Sequence, residues 1–277
     1  MVISWYDNSM KQQITEFIEN YIKEYESRES IATEYGQPLI GFADAFHPYI
    51  QNLTELISPT HVLPQDVLPD ARIIVAYYIP FTKKLAKTNR IEGIMASPEW
   101  ARGYEETNAL FAELNDALIN FIHTKAGQAG VTPKAVTFSQ ETLMSDWSHR
   151  HIAYAAGLGT FGLNNMLLTR KGCCGRFSTV ITNLELEPDA PIEGEDYCLY
   201  KKNGSCGVCV KNCPTGALTA EKYDRFKCYV LCQENAKLFT QFGSSYTNED
   251  GIAANSVGSE VCGKCITGSP CAFWNLP

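Results

Sequence analysis

The chain has 277 residues, enough for one large or two modest domains, and its 45% hydrophobic content suits a globular core. Its formal net charge is −8. From Glu195 onward eight basic residues balance eight acidic ones, so the whole acidic excess lies in residues 1–194. Such a surface disfavours a polyphosphate backbone as partner. No apolar run approaches the roughly 20 residues that a membrane-spanning helix needs.

The first 190 residues predict a mixed α/β domain. Apolar residues recur with helical spacing from Ile14 to Tyr25, which predicts a helix over about Ser9–Tyr25. A continuous apolar run ended by Pro80 predicts a strand buried on both faces. A sheet core covered by helices, in more than one layer, is the expected architecture. The further predicted elements are a strand at Ala71–Ile79, a helix at about Glu105–His123, and strands at Lys134–Phe138 and Phe177–Leu186.

A glycine-rich loop follows a predicted helix at Trp147–Ala156. Its glycines, Gly157, Gly159 and Gly162, match the G-x-G-x-x-G pattern of dinucleotide-binding proteins. That pattern requires a strand before the loop and an acidic residue about 20 positions later. Here a helix precedes it and Thr182 stands at the later position, so nucleotide binding is disfavoured. The glycines either let the backbone approach a flat or bulky ligand or form a helix C-cap and a tight turn.

Composition changes at a predicted linker, Pro188–Glu195, and residues 191–277 form a compact cysteine-dense segment. The run Cys206-x₂-Cys209-x₃-Cys213-Pro214 matches the last three ligands and the proline of a bacterial [4Fe–4S] ferredoxin motif. A short insertion displaces the first ligand upstream. The fourth cysteine of such a run binds the other cluster. We therefore predict two [4Fe–4S] clusters held by eight of the eleven cysteines: Cys198, Cys206, Cys209, Cys213, Cys228, Cys262, Cys265 and Cys271.

Three other interpretations of these cysteines compete with two clusters. A disulfide framework is disfavoured because the cysteine count is odd and no secretory signal is evident. A structural zinc site could use the two C-x₂-C pairs but would leave four of the eight cysteines unexplained. A single cluster is the third. Cys173, Cys174 and Cys232 receive no ligand role. Thiolate-bound clusters without an export signal indicate a reducing cytoplasm.

Several segments resemble epoxyqueuosine reductases, in the same order along the chain. One matching segment is Ala155–Asn164, which contains the glycine loop, and the Cys-Pro-Thr-Gly-Ala run starting at Cys213 is a more specific one. The others are Gly41–Asp44, Leu68–Arg72, Leu167–Arg170, Val180–Leu186 and Asp224–Cys228.

The resemblance implies a fold, a cofactor set and a division of the ligands. The fold would be an α/β (α+β) cobalamin-reductase-like sheet domain at residues 1–190, related to reductive dehalogenases, followed by a ferredoxin-like two-cluster domain at 191–277. A corrinoid would be a further cofactor. One cluster would be held by Cys198, Cys206, Cys209 and Cys271; the other would be held by Cys213, Cys228, Cys262 and Cys265.

The resemblance also suggests site residues, with departures. Leu143 stands where the family has its catalytic Asp, so the candidate proton donors or charge stabilisers are Asp146, Glu141, His149 and Arg150. His149 and Arg150 could instead form only the polar face of a helix. The candidate cofactor-binding residues are Gly157, Gly159, Gly162, Asn164 and Tyr104.

The expected function is that of a reductase that passes electrons from two clusters to a corrinoid and then to a small-molecule substrate. A ferredoxin or flavodoxin type of protein would donate the electrons. The family's tRNA-modifying enzymes continue into a helical-repeat domain, whereas this chain stops at Pro277, six residues after its last predicted ligand, so it would be a short form. Together with the acidic charge this makes tRNA an unexpected partner. The alternatives are an electron-transfer protein that reduces a corrinoid or a partner enzyme, and a true tRNA epoxyqueuosine reductase.

Overall fold

A computed structural model describes residues 2–126, 130–131, 139, 141–244 and 258–274, with the backbone only at residues 2–8 and 131. The expected strand at Lys134–Phe138 falls outside the described residues. The described α-helices are α1 Val2–Glu26, α2 Pro48–Gln51, α3 Leu53–Leu56, α4 Pro64–Val67, α5 Lys83–Thr88, α6 Pro98–Ala126, α7 His149–Ala155, α8 Leu199–Asn203, α9 Val208–Lys211, α10 Arg225–Leu238 and α11 Lys264–Thr267. The strands are β1 Leu39–Asp44, β2 Ile73–Pro80, β3 Gly130–Val131, β4 Gly159–Phe161, β5 Leu167–Thr169 and β6 Gly175–Thr182; 3₁₀ helices cover Thr240–Phe242 and Pro270–Ala272.

The central sheet has four described strands in the order β1-β2-β6-β3, and every neighbouring pair is antiparallel. All eight residues of β2 are buried. The prediction of a strand covered on both faces is therefore confirmed. The antiparallel pairing is a finding that an apolar run alone does not determine. Strands β4 and β5 form a separate two-stranded sheet beyond α7.

Helices cover both faces of the central sheet. On one face, Ile14 and Ile18 of α1 pack with Leu110 and Leu114 of α6 in one hydrophobic core. On the other face, Ile152 and neighbouring residues of α7 pack against Ala76 and Ile181 in a second core. The predicted mixed α/β architecture, with more than one layer, is confirmed.

A third apolar cluster joins the cysteine-rich segment to the end of the sheet. Phe81 and Trp100 pack there with Phe239 and Val261. The close approach depends on Gly263, which has a φ of +70° and on which a Cβ atom would stand 2.5 Å from the Trp100 ring. The cysteine-rich segment is thereby seated on α5 and α6. Across the described ranges, no helix combines the length and the apolar character needed to span a bilayer.

Candidate metal centre and adjoining polar site

Short helices and turns, rather than a sheet, position the cysteines. Cys198 is the N-cap of α8, Cys209 lies in α9, and Cys271 lies in the 3₁₀ helix Pro270–Ala272. The insertion that displaces Cys198 in the sequence forms α8, and Gly204 ends that helix with a φ of +71°. This single helical turn returns the chain to Cys206, so the displaced cysteine remains beside the rest of the motif.

One group of four predicted ligands surrounds a cavity. Cys198, Cys206, Cys209 and Cys271 all line it, together with the apolar residues Leu163, Leu168, Leu199, Pro270 and Trp274 and the amide of Asn164. The pKa of Cys209 is raised to about 11. Burial is the main cause, and the neighbouring thiols of Cys271, Cys198 and Cys206 contribute. Thiolates that are brought together away from water repel one another and require a cationic partner to become stable.

The other four predicted ligands are also neighbours. Burial raises the pKa of Cys265, and the thiols of Cys262, Cys228 and Cys213 raise it further. Burial likewise raises the pKa of Cys262 to about 11, with Cys228 and Cys213 as its thiol neighbours. The Leu218 backbone N–H donates to Cys213 Sγ at 3.4 Å. Among the described residues, no three histidine, cysteine or carboxylate side chains are arranged to bind a single metal ion.

Each group has one additional cysteine in contact with a predicted ligand. Cys173 Sγ is 3.9 Å from Cys271 Sγ. Cys232 lies one turn after Cys228 in α10, and its hydrogen bond lowers the pKa of Cys228 to about 6. Sequence reasoning assigned neither residue a role. The i, i+4 spacing of Cys228 and Cys232 is a local signal that could have indicated their contact; the contact of Cys173 spans 98 residues and had no such signal.

The glycine loop is a helix cap followed by a tight turn. Gly157 has a φ of +70°, its N–H donates to Tyr154 O, and Leu158 N–H donates to Ala153 O, which together form a Schellman motif at the end of α7. A Cβ atom on Gly157 would stand 2.4 Å from Ala190 O. On Gly159 it would stand 2.1 Å from Leu168 O, and on Gly162 2.4 Å from the Leu168 side chain. The close approach is therefore to the chain itself, and the loop delivers Asn164 to the wall of the cysteine-lined cavity.

His149 and Arg150 begin α7 and are partly buried. His149 Nδ1 is 2.9 Å from Thr179 Oγ1. The pKa of His149 is lowered to about 4. Burial is the main cause, and the Arg176 and Arg150 cations contribute. Arg150 donates to Asn165 O and contacts Met166 Sδ at 3.3 Å. These contacts go beyond a solvated polar helix face, and they join α7 to the end of the glycine loop.

Arg176 was not identified from the sequence. It lies in β6, its guanidinium stacks 3.7 Å above the Tyr104 ring, and its Nη1 atom is buried with no hydrogen-bond partner in the described structure. The structure thus brings His149, Arg150 and Tyr104 into one neighbourhood, through Arg176. A lone arginine within an apolar strand gives no sequence signal for such a role.

The two candidate carboxylates have different surroundings. Asp146 accepts a hydrogen bond from Thr60 Oγ1 at 2.5 Å, and its carbonyl accepts one from Val62 N–H at 2.8 Å. These contacts tie it to the segment between α3 and α4. Glu141 is exposed in a turn. Leu143, between them, has a φ of +52°, a backbone conformation that bulky side chains rarely adopt.

Known proteins resemble this chain in sequence over part of its length. It is 31% identical over 176 residues to the epoxyqueuosine reductase of Bacillus subtilis, which covers 61% of this chain and 41% of that protein. It is 40% identical over 113 residues to that of Leadbetterella byssophila, covering 40% and 34%. A tetrachloroethene reductive dehalogenase of Dehalobacter restrictus is 33% identical over 124 residues, covering 44% and 20%. No protein-family model matches the chain.

Solved structures resemble it over most of its length. An epoxyqueuosine reductase solved with a tRNA-Tyr epoxyqueuosine-modified stem loop matches with a TM-score of 0.54 at 24% identity, covering 94% of this chain and 66% of that one. The Bacillus subtilis structure matches with a TM-score of 0.54 at 23% identity, covering 95% and 68%. The similarity is consistent with the expected cofactors, two [4Fe–4S] clusters and a corrinoid. The chain spans about two fifths of the length of the curated relatives it matches first, and it is similar to epoxyqueuosine reductases in sequence and in fold.

Proposed function

We propose that this chain is an iron–sulfur reductase of the epoxyqueuosine reductase type, which passes electrons from two [4Fe–4S] clusters to a corrinoid and then to a small-molecule substrate. The observation that carries the proposal is the division of eight cysteines into two neighbouring groups of four, one of which lines a cavity. Residues 191–277 would form the ferredoxin-like domain and residues 1–190 the corrinoid and substrate domain.

The residues around the first cavity fit a four-iron cluster. Four cysteines line it, the walls are mainly apolar, and the insertion places Cys198 back beside its partners. The buried Tyr78 hydroxyl has no hydrogen-bond partner in the described structure, and its pKa is raised by burial and then by Cys173, Cys174 and Cys271. A cluster sulfur would be an acceptor for such a group. Clusters of this kind hold and transfer single electrons.

The polar site beside the glycine loop fits an acceptor-bearing ligand. Arg176 offers a buried donor that has no partner in the described structure, next to the Tyr104 ring, while Asn164 lies at the cluster cavity. We assign Tyr104, Asn164 and the loop Gly157–Gly162 to the corrinoid side, with the glycines holding the loop in shape. A bound corrinoid would supply the centre that reduces the substrate.

The chain's own side chains would hold charge and protons at this site. Because the pKa of His149 is about 4, its imidazole is neutral at pH 7 and can donate one N–H hydrogen bond. Arg150 and Arg176 would stabilise negative charge that develops on a reduced substrate. Asp146 and Glu141 remain candidates for delivering the proton. Asp146 accepts a hydrogen bond from Thr60 Oγ1, so it would have to bind a proton from solvent before it could donate one.

The loop between the cavity and α7 offers a short connection for electrons. Leu163 N–H approaches Cys198 Sγ at 3.5 Å, and Arg150 donates to the carbonyl of Asn165 two residues later. Residues 163–166 therefore contact the first group of cysteines on one side and the polar site on the other. The first cluster would be the one that delivers electrons to the substrate side.

A basic groove adjoins the same cluster and would receive the electron donor. It has a volume of about 650 Å³ and is lined by Lys83, Lys87 and Arg90, with Ile91 and Phe273 as apolar residues. Ser269 and Pro270 line both this groove and the cysteine-lined cavity. An acidic electron carrier of the ferredoxin or flavodoxin type would dock here by charge complementarity, close to the cluster. Thiolate clusters favour a reducing cytoplasm as the location.

One experiment distinguishes the proposed corrinoid reductase from its two alternatives, an electron-transfer protein and a tRNA epoxyqueuosine reductase. The anaerobic protein would be reduced and mixed with cob(II)alamin, then with an epoxyqueuosine-modified tRNA stem loop. Conversion of the cobalt EPR spectrum from base-on to base-off would support the corrinoid reductase. An unchanged cobalt spectrum with intact clusters would favour the electron-transfer protein. Formation of queuosine in the stem loop would establish the tRNA reductase, which the solved complex of a similar protein makes a specific candidate.

A further inference from the structure

We propose that Cys173 donates an S–H hydrogen bond to the Cys271 sulfur and thereby raises the reduction potential of the first cluster. The proposal rests on the cluster assignment made above. Cys173 is fully buried, so water does not compete for its thiol. Its sulfur lies 3.9 Å from Cys271 Sγ, within reach of a sulfur hydrogen bond.

The direction of this hydrogen bond follows from Asn164. The Asn164 Oδ1 atom accepts a hydrogen bond from Met166 N–H at 3.2 Å, which orients the amide. Its Nδ2 atom, which can only donate, then lies 3.7 Å from Cys173 Sγ. Because the Cys173 sulfur accepts this bond, its own proton is available to Cys271. The three side chains form a chain of donors that ends at a predicted ligand.

The backbone holds the two cysteines together independently of their side chains. Cys173 N–H donates to Cys271 O at 2.9 Å, and Cys174 N–H donates to Ala272 O at 3.2 Å. Gly172, with a φ of +95°, permits this approach, since a Cβ atom there would stand 2.2 Å from Ala272 O. Cys173 would therefore stay beside Cys271 when Cys271 binds iron.

A hydrogen bond to a ligand sulfur has a predictable electronic effect. Reduction adds one negative charge to the cluster, and a donor aimed at a ligand sulfur stabilises that charge. Hydrogen bonds to the sulfurs are among the factors that set the potentials of such clusters. Loss of the donor should therefore make the cluster harder to reduce. Cys232, one turn after Cys228, is placed to act similarly at the second cluster.

The test is an EPR-monitored redox titration of the reconstituted full chain and of five variants with a single cysteine replaced. We expect Cys173→Ala to keep both clusters and to lower the reduced-to-oxidised ratio of one of them about tenfold at a fixed potential, which is 59 mV for one electron. Cys173→Ser, which keeps a donor, should remain nearer to the wild type. Cys174→Ala is the matched control, because that thiol is equally buried but makes no hydrogen bond to a predicted ligand in the described structure, and its titration should be unchanged.

Other outcomes would overturn the proposal. An unchanged potential in Cys173→Ala with both clusters present would show that the thiol only fills space. Loss of one cluster in Cys173→Ala and Cys173→Ser, but retention in Cys271→Ser, would make Cys173 the ligand instead. If Cys173→Ala fails to assemble, a Cys173→Ser protein that matches Cys173→Val in potential would also contradict the donor role. Absence of iron from the wild type would instead refute the proposed function.

Discussion

Single residues carry the cluster assignment, because thiol spacing decides which sulfurs can share a site. The C-x₂-C pairs and the Cys213-Pro214 step are local in the chain, so their grouping could be predicted from the sequence. The closeness of Cys271 to Cys209 depends on how distant segments pack, and before the structure only the family resemblance implied it. The contact of Cys173 with Cys271 had no signal in the sequence. Arg176 was missed for the same reason.

Replacing one ligand should remove one cluster and leave the other. Cys198→Ser and Cys262→Ser each belong to a different group, so each protein should hold about four irons per chain where the wild type holds about eight. Iron determination with EPR of the reduced variants would check this. Cys174→Ala serves as the control, since it should keep the full iron content. A complete loss of iron in both ligand variants would argue against two separable sites.

Protonation of buried histidines should couple stability to pH. The pKa of His151 is lowered to about 3, first by burial and then by the Arg150 cation, and that of His149 is lowered to about 4. Between about pH 6.5 and these lowered pKa values, the histidines bind protons in the unfolded chain but not in the folded chain. The contribution of these histidines to the free energy of unfolding is therefore complete above pH 6.5. It is lost as the pH decreases, by up to about 1.4 kcal/mol per pH unit for each histidine.

Urea denaturation between pH 7 and pH 5 would measure this slope. His151→Gln should make the decline shallower, because it removes one of three histidines whose pKa burial lowers, the others being His149 and His61. His123→Gln makes the same change at an exposed position of α6 and is the control for the substitution itself. Equal slopes for His151→Gln and the wild type would contradict the burial-based account.

At the level of elements, the long amphipathic helices and the apolar strand β2 could be predicted because their patterns are strongly periodic or continuous. The helix at Trp147–Ala156 was also predicted, and α7 lies within it. The pairing partners of β2 were not predictable, since strand order depends on long-range packing. The short strands β4 and β5 were missed because three residues give too little alternation to recognise.

The cap of α7 should be sensitive to a single methyl group. In Gly157→Ala the alanine would have to adopt a left-handed backbone conformation, and its methyl group would clash with Ala190 O. We therefore expect the free energy of unfolding to fall by about 2 kcal/mol or more. Gly204→Ala is the matched control: its φ of +71° is nearly the same, but nothing lies within 4 Å of the added carbon. It should cost about 1 kcal/mol. Equal losses in chemical denaturation would show that the contact with Ala190 is unimportant.

At the level of the whole molecule, the cysteine-rich segment and the sheet are joined by a shared apolar cluster. The charge excess of the sequence indicated an acidic protein, but it did not reveal the basic groove beside the first cavity. That groove forms only where α5 meets the 3₁₀ helix Pro270–Ala272, two segments that are far apart in the chain. Net charge alone therefore gave no indication of a docking surface.

Reversing charges in the groove should slow reduction by an acidic donor. We expect Lys87→Glu combined with Arg90→Glu to lower the bimolecular rate of cluster reduction by flavodoxin about tenfold at low ionic strength, and the difference should shrink with added salt. Stopped-flow absorbance would measure the rate. Lys23→Glu with Lys125→Glu makes the same charge change at exposed positions in α1 and α6 and should have a smaller effect. Equal effects of the two double variants would mean that net charge, rather than the groove, controls the rate.

The central claim is that eight cysteines hold two four-iron clusters. The most direct test is an anaerobic determination of iron, acid-labile sulfide and zinc in the reconstituted chain, with EPR after reduction. The account predicts about eight irons and about eight sulfides per chain and the signals of two interacting reduced clusters. A chain that contains zinc, lacks sulfide and gives no EPR signal on reduction would contradict it.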